Sequence, residues 1–302
     1  MRTFGKVLLK LLELALVAVL VIVVVFGFYA PKYLLSKESY DVSQKTDDGK
    51  ITIVSANARC YTPGDLMKKS WFYRAPLLVR TLAAAEPDII GFQEVTWLHR
   101  SYFDRALKGY DYVLDYRDDS FLAESCPIYY NTNKFTLTDK GSFWLSETPE
   151  TMSKGWNAAC YRICSYVILT QKSDGKQLVV FNTHLDHVSE EARINGIHLV
   201  LEKIKAFGGM PSVIMGDFNA EEDSLTYAAA TKLFDDAKYQ TKDTDSGSTY
   251  HGYGMDWSYD NLDYFMISKT GIDVESYKVL RNTFDGAYPS DHYPIRLRMT
   301  LQ

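Results

Sequence analysis

Pro211-Ser212-Val213-Ile214-Met215-Gly216-Asp217-Phe218-Asn219 is an apolar run that ends on a carboxylate and an amide. Such a run predicts a buried strand that reaches its end at Asp217. On a strand, residues two apart share a face, so Asp217 and Asn219 are expected to point into one cleft while Phe218 turns to the core. An anionic acceptor beside a neutral donor suits the holding of a water next to a phosphoryl group. Alone, Asp and Asn after a strand are more often turn formers. The rest of the chain decides between the two readings.

The same pattern recurs outward from this stretch. Ile51 to Asn57 and Asp88 to Glu94 read as strands with a helix from Arg74 to Glu86 between them, a β-α-β unit. Strands are predicted at 110–116, 126–131, 134–145, 161–170 and 177–184. Ala192, Ile197, Val200, Ile204 and Phe207 recur near helical spacing over 189–207, ahead of the 211 strand. The last third adds strands at 262–268, 274–281 and 293–300. Many strands with few helices predict two packed sheets flanked by helices, an α/β fold. No internal repeat, glycine-rich phosphate loop or dinucleotide fingerprint interrupts this order.

Polar residues cluster where these strands end. Asn57 ends the first and Glu94 the second; His184 ends the strand from Leu178, Asp217 and Asn219 the next, and Asp291-His292 precede the last. Asp263 lies inside the apolar Asn261-Leu262-Asp263-Tyr264-Phe265-Met266. An acid there must be paired, hydrogen-bonded or metal-bound to tolerate burial. Several acids converging on one rim repel each other unless a divalent cation joins them.

With these motifs in place, the chain resembles the endonuclease/exonuclease/phosphatase superfamily, the DNase I-like group. The resemblance rests on Asn57, Gln93-Glu94, Asn182-Thr183-His184-Leu185, Gly216-Asp217-Phe218-Asn219, Leu262-Asp263-Tyr264 and Ser290-Asp291-His292, in family order from residue 51 onward. Segments around Trp144–Glu150, Gly155-Trp156 and Thr249–Gly252 are similar to its bacterial metal-dependent hydrolase branch. The resemblance implies a four-layer α-β-β-α sandwich with the site at one edge of the paired sheets. It implies Mg²⁺, with Mn²⁺ able to substitute, on Glu94 with Asn57 and Asp291 nearby; oxygen ligands and retained waters suit that ion. It further implies that Asp263 pairs with His292, that Asp217 aligns or deprotonates the attacking water, and that Asn219 and His184 donate to the phosphoryl oxygens. Glu124, just ahead of an apolar strand, stands where nucleases of the superfamily carry the partner of the first histidine, which implies a second dyad, Glu124–His184.

Other polar residues read more plainly. His99 and His198 lie in helical stretches and read as structural, and His251 as satisfying a turn. Asp186, His187, Arg162 and Trp156 stay open between loop structure and substrate contact. The four cysteines fit no zinc site. Cys160 and Cys164 lie about 13 Å apart on a strand, too far to bridge, and all four read as small hydrophobes, with pairing of Cys126 left open.

The N-terminus is of a different kind. Arg2, Lys6 and Lys10 precede an uncharged run from Leu14 to Ala30, in a segment of about 20 residues that can span a bilayer. Residues 1–33 are expected to be a retained membrane anchor, with a cleaved signal peptide as the competing reading, and basic flanks place the remainder outside the cell. The polar segment 34–49 reads as a tether, and the catalytic domain as 50–302. The first 30 residues carry three basic and one acidic side chain, so of the net charge of −5 the remainder holds −7. An acidic domain disfavours long polyanions and favours a small or lipid-linked phosphoester.

The expected function is thus an exported, Mg²⁺-dependent phosphoester hydrolase, a phosphodiesterase or nuclease ahead of a phosphomonoesterase on inositol or sugar phosphates or a sphingomyelinase-like enzyme. The expected state is a monomer. A binding module without catalysis is the reading from another class; it would have lost Glu94, Asp217 or His292, and all three are present.

Overall fold

The computed structural model describes residues 2–245, 247–256 and 261–302. Met1, and the side chains at 2–3 and 25–32 of the segment expected to be an anchor, lie outside the described residues. In chain order the elements are α1 (Arg2–Leu35), β1 (Tyr40–Asp41), β2 (Ile51–Asn57), α2 (Trp71–Ala85), β3 (Ile89–Gln93), α3 (Trp97–Ala106), β4 (Leu107–Lys108), β5 (Tyr110–Val113) and β6 (Ile128–Asn131). Then come β7 (Phe135–Trp144), β8 (Ile163–Gln171), β9 (Gln177–His184), α4 (Glu190–Lys205), β10 (Ser212–Asp217) and α5 (Leu225–Thr231). The chain closes with β11 (Phe234–Asp236), β12 (Asp263–Ser268), β13 (Ile272–Val279) and β14 (Ile295–Leu301).

Two six-stranded sheets carry the molecule, in the orders β11-β12-β10-β9-β8-β7 and β13-β14-β2-β3-β6-β5. Their facing sides make one core, in which Val180, Val213 and Phe265 of one sheet meet Ile53, Ile89 and Leu297 of the other. Each fully buried side chain of this size contributes about 1.5–3 kcal/mol. On one outer face, Ile197, Val200 and Ile204 of α4 cover Phe181 and Ile214. On the other, Leu78 and Leu82 of α2 and Phe103 of α3 cover Val54, Ile90 and Phe92. This is the expected four-layer α-β-β-α sandwich. Strands covered on both faces explain why β2, β3 and β10 are buried at every residue.

Register brings the polar strand ends together. β9 and β10 run parallel with His184 beside Asp217, and β12 runs antiparallel to β10 with Asp263 opposite Asp217. In the other sheet β2 and β3 are parallel with Asn57 beside Gln93, and β14 enters antiparallel at the same end, with Ile295 opposite Ser55. Just beneath this edge the sheets are pinned. Gln93 Nε2 donates to Asn182 Oδ1 at 2.7 Å, and Asn182 Nδ2 donates to the carbonyls of Phe92 and Pro127 at 2.7 and 2.9 Å.

Gly216 makes the close approach of β9 and β10 there possible. Its φ is 147°, and a Cβ on it would lie 1.9 Å from the Thr183 carbonyl oxygen, a backbone atom that cannot yield. Gly216→Ala is therefore expected to cost more than about 4 kcal/mol or to prevent folding, read as a shifted midpoint in urea unfolding. A midpoint within error of the parent would remove this role.

The N-terminal region departs from its expected boundaries. Phe4–Val24 is a 21-residue stretch of mean hydropathy 2.9, long and apolar enough to cross a bilayer, and none of it is buried against the domain. Its helix does not end in a free tether. Tyr33 is buried, meets the Phe72 ring edge-on and the Tyr102 ring at a tilt, and donates through its hydroxyl to the Leu98 carbonyl at 3.0 Å. β1 pairs with β4, Val42 is buried, and Lys45 pairs with Asp88 at 2.7 Å. Packing against the domain thus reaches back from Lys50 through Val42 and Tyr40 to Tyr33, because the polar segment hides apolar side chains that its composition does not show.

Candidate active site

The edge where the strand ends converge opens into a cleft of about 680 Å³. Asn57 sits at its base and joins the two sheets. Its Nδ2 donates to Glu94 Oε1 at 2.9 Å and to Asp217 Oδ2 at 3.0 Å. Glu94 follows β3 in the left-handed region, φ 62°, an unusual state that turns its carboxylate from the strand into the cleft. The Cys60 amide donates to its Oε2 at 2.7 Å. Burial opposes ionisation of Glu94, but His184 first, then these hydrogen bonds and the Arg59 guanidinium, hold it well below the usual carboxylate range.

Asp217 is the hub. Its Oδ2 lies 3.7 Å from His184 Nε2 and 3.6 Å from His292 Nε2. Burial raises its carboxyl to about 7; His292 opposes that rise and Asp263 adds to it. His292 gives Nδ1 to Asp263 Oδ2 at 2.8 Å, the expected pairing. Burial disfavours its charge, yet the carboxylates of Asp263 and Asp217 prevail and raise it to about 10, so it is an imidazolium at neutral pH. His184 is the opposite case: burial, together with Arg162 and Arg117, lowers it well below the ordinary histidine value and keeps it neutral. Asp291, with its carboxylate 3.5 Å from Arg59, is raised by burial and by Glu94, against the pull of His292.

Two expectations need correction. Glu124 does not pair with His184. Arg117 takes both of its oxygens, at 2.7 and 2.8 Å, in a bidentate fork; burial and Glu94 raise Glu124 to about 7 against that pairing. A planar guanidinium offers a carboxylate two parallel bonds where an imidazole offers one. Asn219, in turn, is not on the strand with Asp217. It lies past the strand end at φ 48°, with its own amide donating to Asp217 Oδ1 at 2.8 Å. Its side-chain NH₂ donates to His184 Nε2 at 2.9 Å and to the Leu185 carbonyl at 3.0 Å. Both amide hydrogens are engaged, so Asn219 fixes the ring of His184 and has none left for a phosphoryl oxygen. Phe218 is buried in the core as expected.

His99, His198 and His251 fall as read, and His187, left open by the sequence, lies at the cleft. His99 is buried, caps α3 through Thr96 and meets the Arg59 carbonyl at 3.0 Å. His198 is on the exposed face of α4, and His251 accepts the Gly254 amide inside a turn at 3.1 Å. His187 lines the cleft and accepts from Arg162 Nη2 at 3.0 Å. Asp186 organises that loop by accepting from the amides of Ala159, Cys160, Val188 and Ser189. Cys160, Asp186 and His187 have ligand atoms within 4.8 Å of one another, but with Asp186 and His187 so engaged they make no metal site. All four cysteines are free; Cys126 and Cys164 are buried, and Cys60 and Cys160 are half-buried.

Sequence reasoning passed over Arg59, Arg117 and Arg193, which line the cleft from loops and a helix start. It also missed Arg74, fully buried, which donates to the carbonyls of Lys69, Ala58, Pro289 and Arg59 and so clips the Asn57 loop to the Asp291 loop. None of the four sits in a motif; only the fold assembles them.

An endonuclease/exonuclease/phosphatase of Bacteroides vulgatus superposes with a TM-score of 0.79 at 30% identity, covering 85% of this chain and 100% of its own. A mannosyl-6-phosphatase of Bacteroides thetaiotaomicron does so at 0.75 and 31%, covering 83% and 100%. By sequence, a CCR4-Not complex 3'-5'-exoribonuclease subunit of Yarrowia lipolytica is 22% identical over 281 residues, 70% of this chain and 39% of that protein. An uncharacterized mimivirus protein is 30% identical over 175 residues, 55% of this chain and 65% of its own. The chain spans less than two thirds of the length of both sequence relatives. Residues 55–292, from the last turns of β2 to the histidine that faces Asp217, match the Endonuclease/Exonuclease/phosphatase family, and the chain belongs to it.

Proposed function

We propose that this protein is a membrane-tethered, exported, Mg²⁺-dependent phosphodiesterase that directs water in line at phosphorus. Members of its family are metal-dependent hydrolases of phosphoesters. One observation carries the reading: a single buried carboxylate, Asp217, is shared by Asn57, His184 and His292 at 3.0, 3.7 and 3.6 Å.

The residues fit a hard divalent cation. Glu94, Asn57 and Asp291 offer oxygen donors at one end of the cleft, and a cation there would relieve both the burial that raises Asp291 and the repulsion from Glu94 that adds to it. Such an ion, when bound, neutralises charge on the phosphoryl oxygens. The protein's own groups do the rest. Asp217, poised at about 7, accepts the proton of the attacking water. His292, held as imidazolium by Asp263, donates from Nε2 to an oxygen on phosphorus. His184, fixed by Asn219, lines the same space.

A small or lipid-linked diester suits the acidic domain, and the Phe4–Val24 helix supports a site held beside lipid headgroups. The likeness to a mannosyl-6-phosphatase over its whole length favours a second reading, hydrolysis of a sugar phosphomonoester.

The test is a panel with Mg²⁺: bis-p-nitrophenyl phosphate, single-stranded DNA, RNA, sphingomyelin, inositol phosphates and mannose 6-phosphate. Turnover of a diester above the monoesters supports the first reading; a folded chain with no turnover on any of them sinks both. Glu94→Gln is expected to raise the Mg²⁺ concentration for half-maximal activity by ~10–100-fold. An unchanged metal titration removes Glu94 from the ion.

A further inference from the structure

We infer that Arg162 and Arg193 form an anion subsite that holds a second phosphate or carboxylate of the substrate, next to the phosphoryl group being hydrolysed. The inference rests on the phosphoester reading of the cleft and adds the class of substrate: one that carries two anionic groups.

Arg162 immediately precedes β8 and is buried, and Arg193 lies in the first turns of α4; both line the cleft with His184. Asp186 is the counter-ion of Arg162 alone. Arg162 Nε approaches its Oδ2 at 3.4 Å, while Arg193 Nη1 reaches only the Asp186 backbone carbonyl, at 2.8 Å. That carboxylate brings one negative charge, already spread over four backbone amides. Arg117 adds no excess here, because Glu124 matches it in a bidentate pair. Among the described residues Arg193 thus has no carboxylate partner of its own, although Glu221 and Asp223 also line the cleft.

Hydrogen bonding points the same way. Arg162 Nη1 and Arg193 Nε are buried and have no hydrogen-bond partner. A buried donor on a charged group is costly to leave without an acceptor, and guanidinium is the group best shaped for phosphate or carboxylate. His187, which accepts from Arg162 Nη2, holds the guanidinium in place from the rim. The phosphoryl group under attack has its own partners in Asp217, His292 and the Glu94 end of the cleft. An anion on Arg162 and Arg193 is a different group.

The test uses the full chain in detergent and two calorimetric titrations. Inorganic phosphate added to metal-free protein is expected to bind, with a dissociation constant raised ~10-fold in Arg193→Gln and in Arg162→Met. No binding, or equal binding by a folded Arg193→Gln protein, overturns the subsite; a thermal melt of each variant guards against misfolding of the buried Arg162 change. Asp217→Asn protein with Mg²⁺ is then titrated with glucose 6-phosphate and glucose 1,6-bisphosphate. The bisphosphate is expected to bind ~10-fold more tightly, and the added Arg193→Gln change to bring the two together. Equal affinities without that change overturn the inference. Neither titration reads turnover, so a chain that binds as expected and hydrolyses nothing overturns the phosphodiesterase reading alone.

Discussion

Asp217→Asn is expected to lower kcat by ~10²–10⁴-fold, the range for loss of a positioned general base, and to leave the fold intact. The amide is isosteric, and Asp217 Oδ2 accepts from Asn57 at 3.0 Å while its Oδ1 accepts from the Asn219 amide at 2.8 Å. An amide oxygen keeps one of those bonds but cannot accept a proton from water. Removing the charge also withdraws one of the three carboxylates that raise His292; Asp263, the strongest, remains at 2.8 Å, with Asp291, and keeps the imidazolium. The loss should therefore fall on kcat, with KM changed less. Steady-state kinetics beside a thermal melt decide it. Activity within tenfold of the parent, in a protein that melts at the same temperature, would refute the base role.

His292→Ala is expected to have an effect of similar size on kcat, with a stability cost as well. The ring lies between two buried carboxylates, 2.8 Å from Asp263 and 3.6 Å from Asp217. Its removal leaves both without their shared cation, and breaking a buried pair in this way costs about 3–5 kcal/mol. The two effects separate on Asp263→Asn. That change keeps the shape and removes the charge that orients the ring, so it should lower kcat by ~10²-fold or more with a smaller shift in melting. If Asp263→Asn retains full activity, the dyad has no part in the reaction and His292 is structural.

Much of this was legible because of one physical regularity. A strand buried on both faces is a continuous apolar run, so the first polar residue after it marks an edge of the sheet. Asn57, Glu94, His184 and Asp217 were found by that rule, and the parallel pairs β2–β3 and β9–β10 explain why four strand ends share one rim. Asp263 was marked by the cost of an acid in an apolar stretch, and its partner is His292.

What sequence did not carry is side-chain choice among neighbours. Glu124 had the spacing for a histidine partner, but Arg117, seven residues earlier on the same loop, captures it with two bonds. Asn219 was assigned a strand position it leaves at φ 48°, so its amide serves His184. The arginines of the cleft, Arg59, Arg117 and Arg193, lie in loops and a helix start that no periodicity marks. The docking of Tyr40 and Val42 is hidden for a simpler reason: two apolar side chains in a polar segment are too few to change its composition, yet with Tyr33 just ahead of it enough to seat it.

The most direct test of the central claim is hydrolysis in H₂¹⁸O with Mg²⁺, on the diester the panel selects, followed by mass spectrometry of both products. Attack of water at phosphorus, with Asp217 as base, predicts one ¹⁸O per turnover in the phosphate-bearing product, none in the released alcohol, and no reaction once EDTA is added. Label in the alcohol, or turnover that survives EDTA, would contradict it.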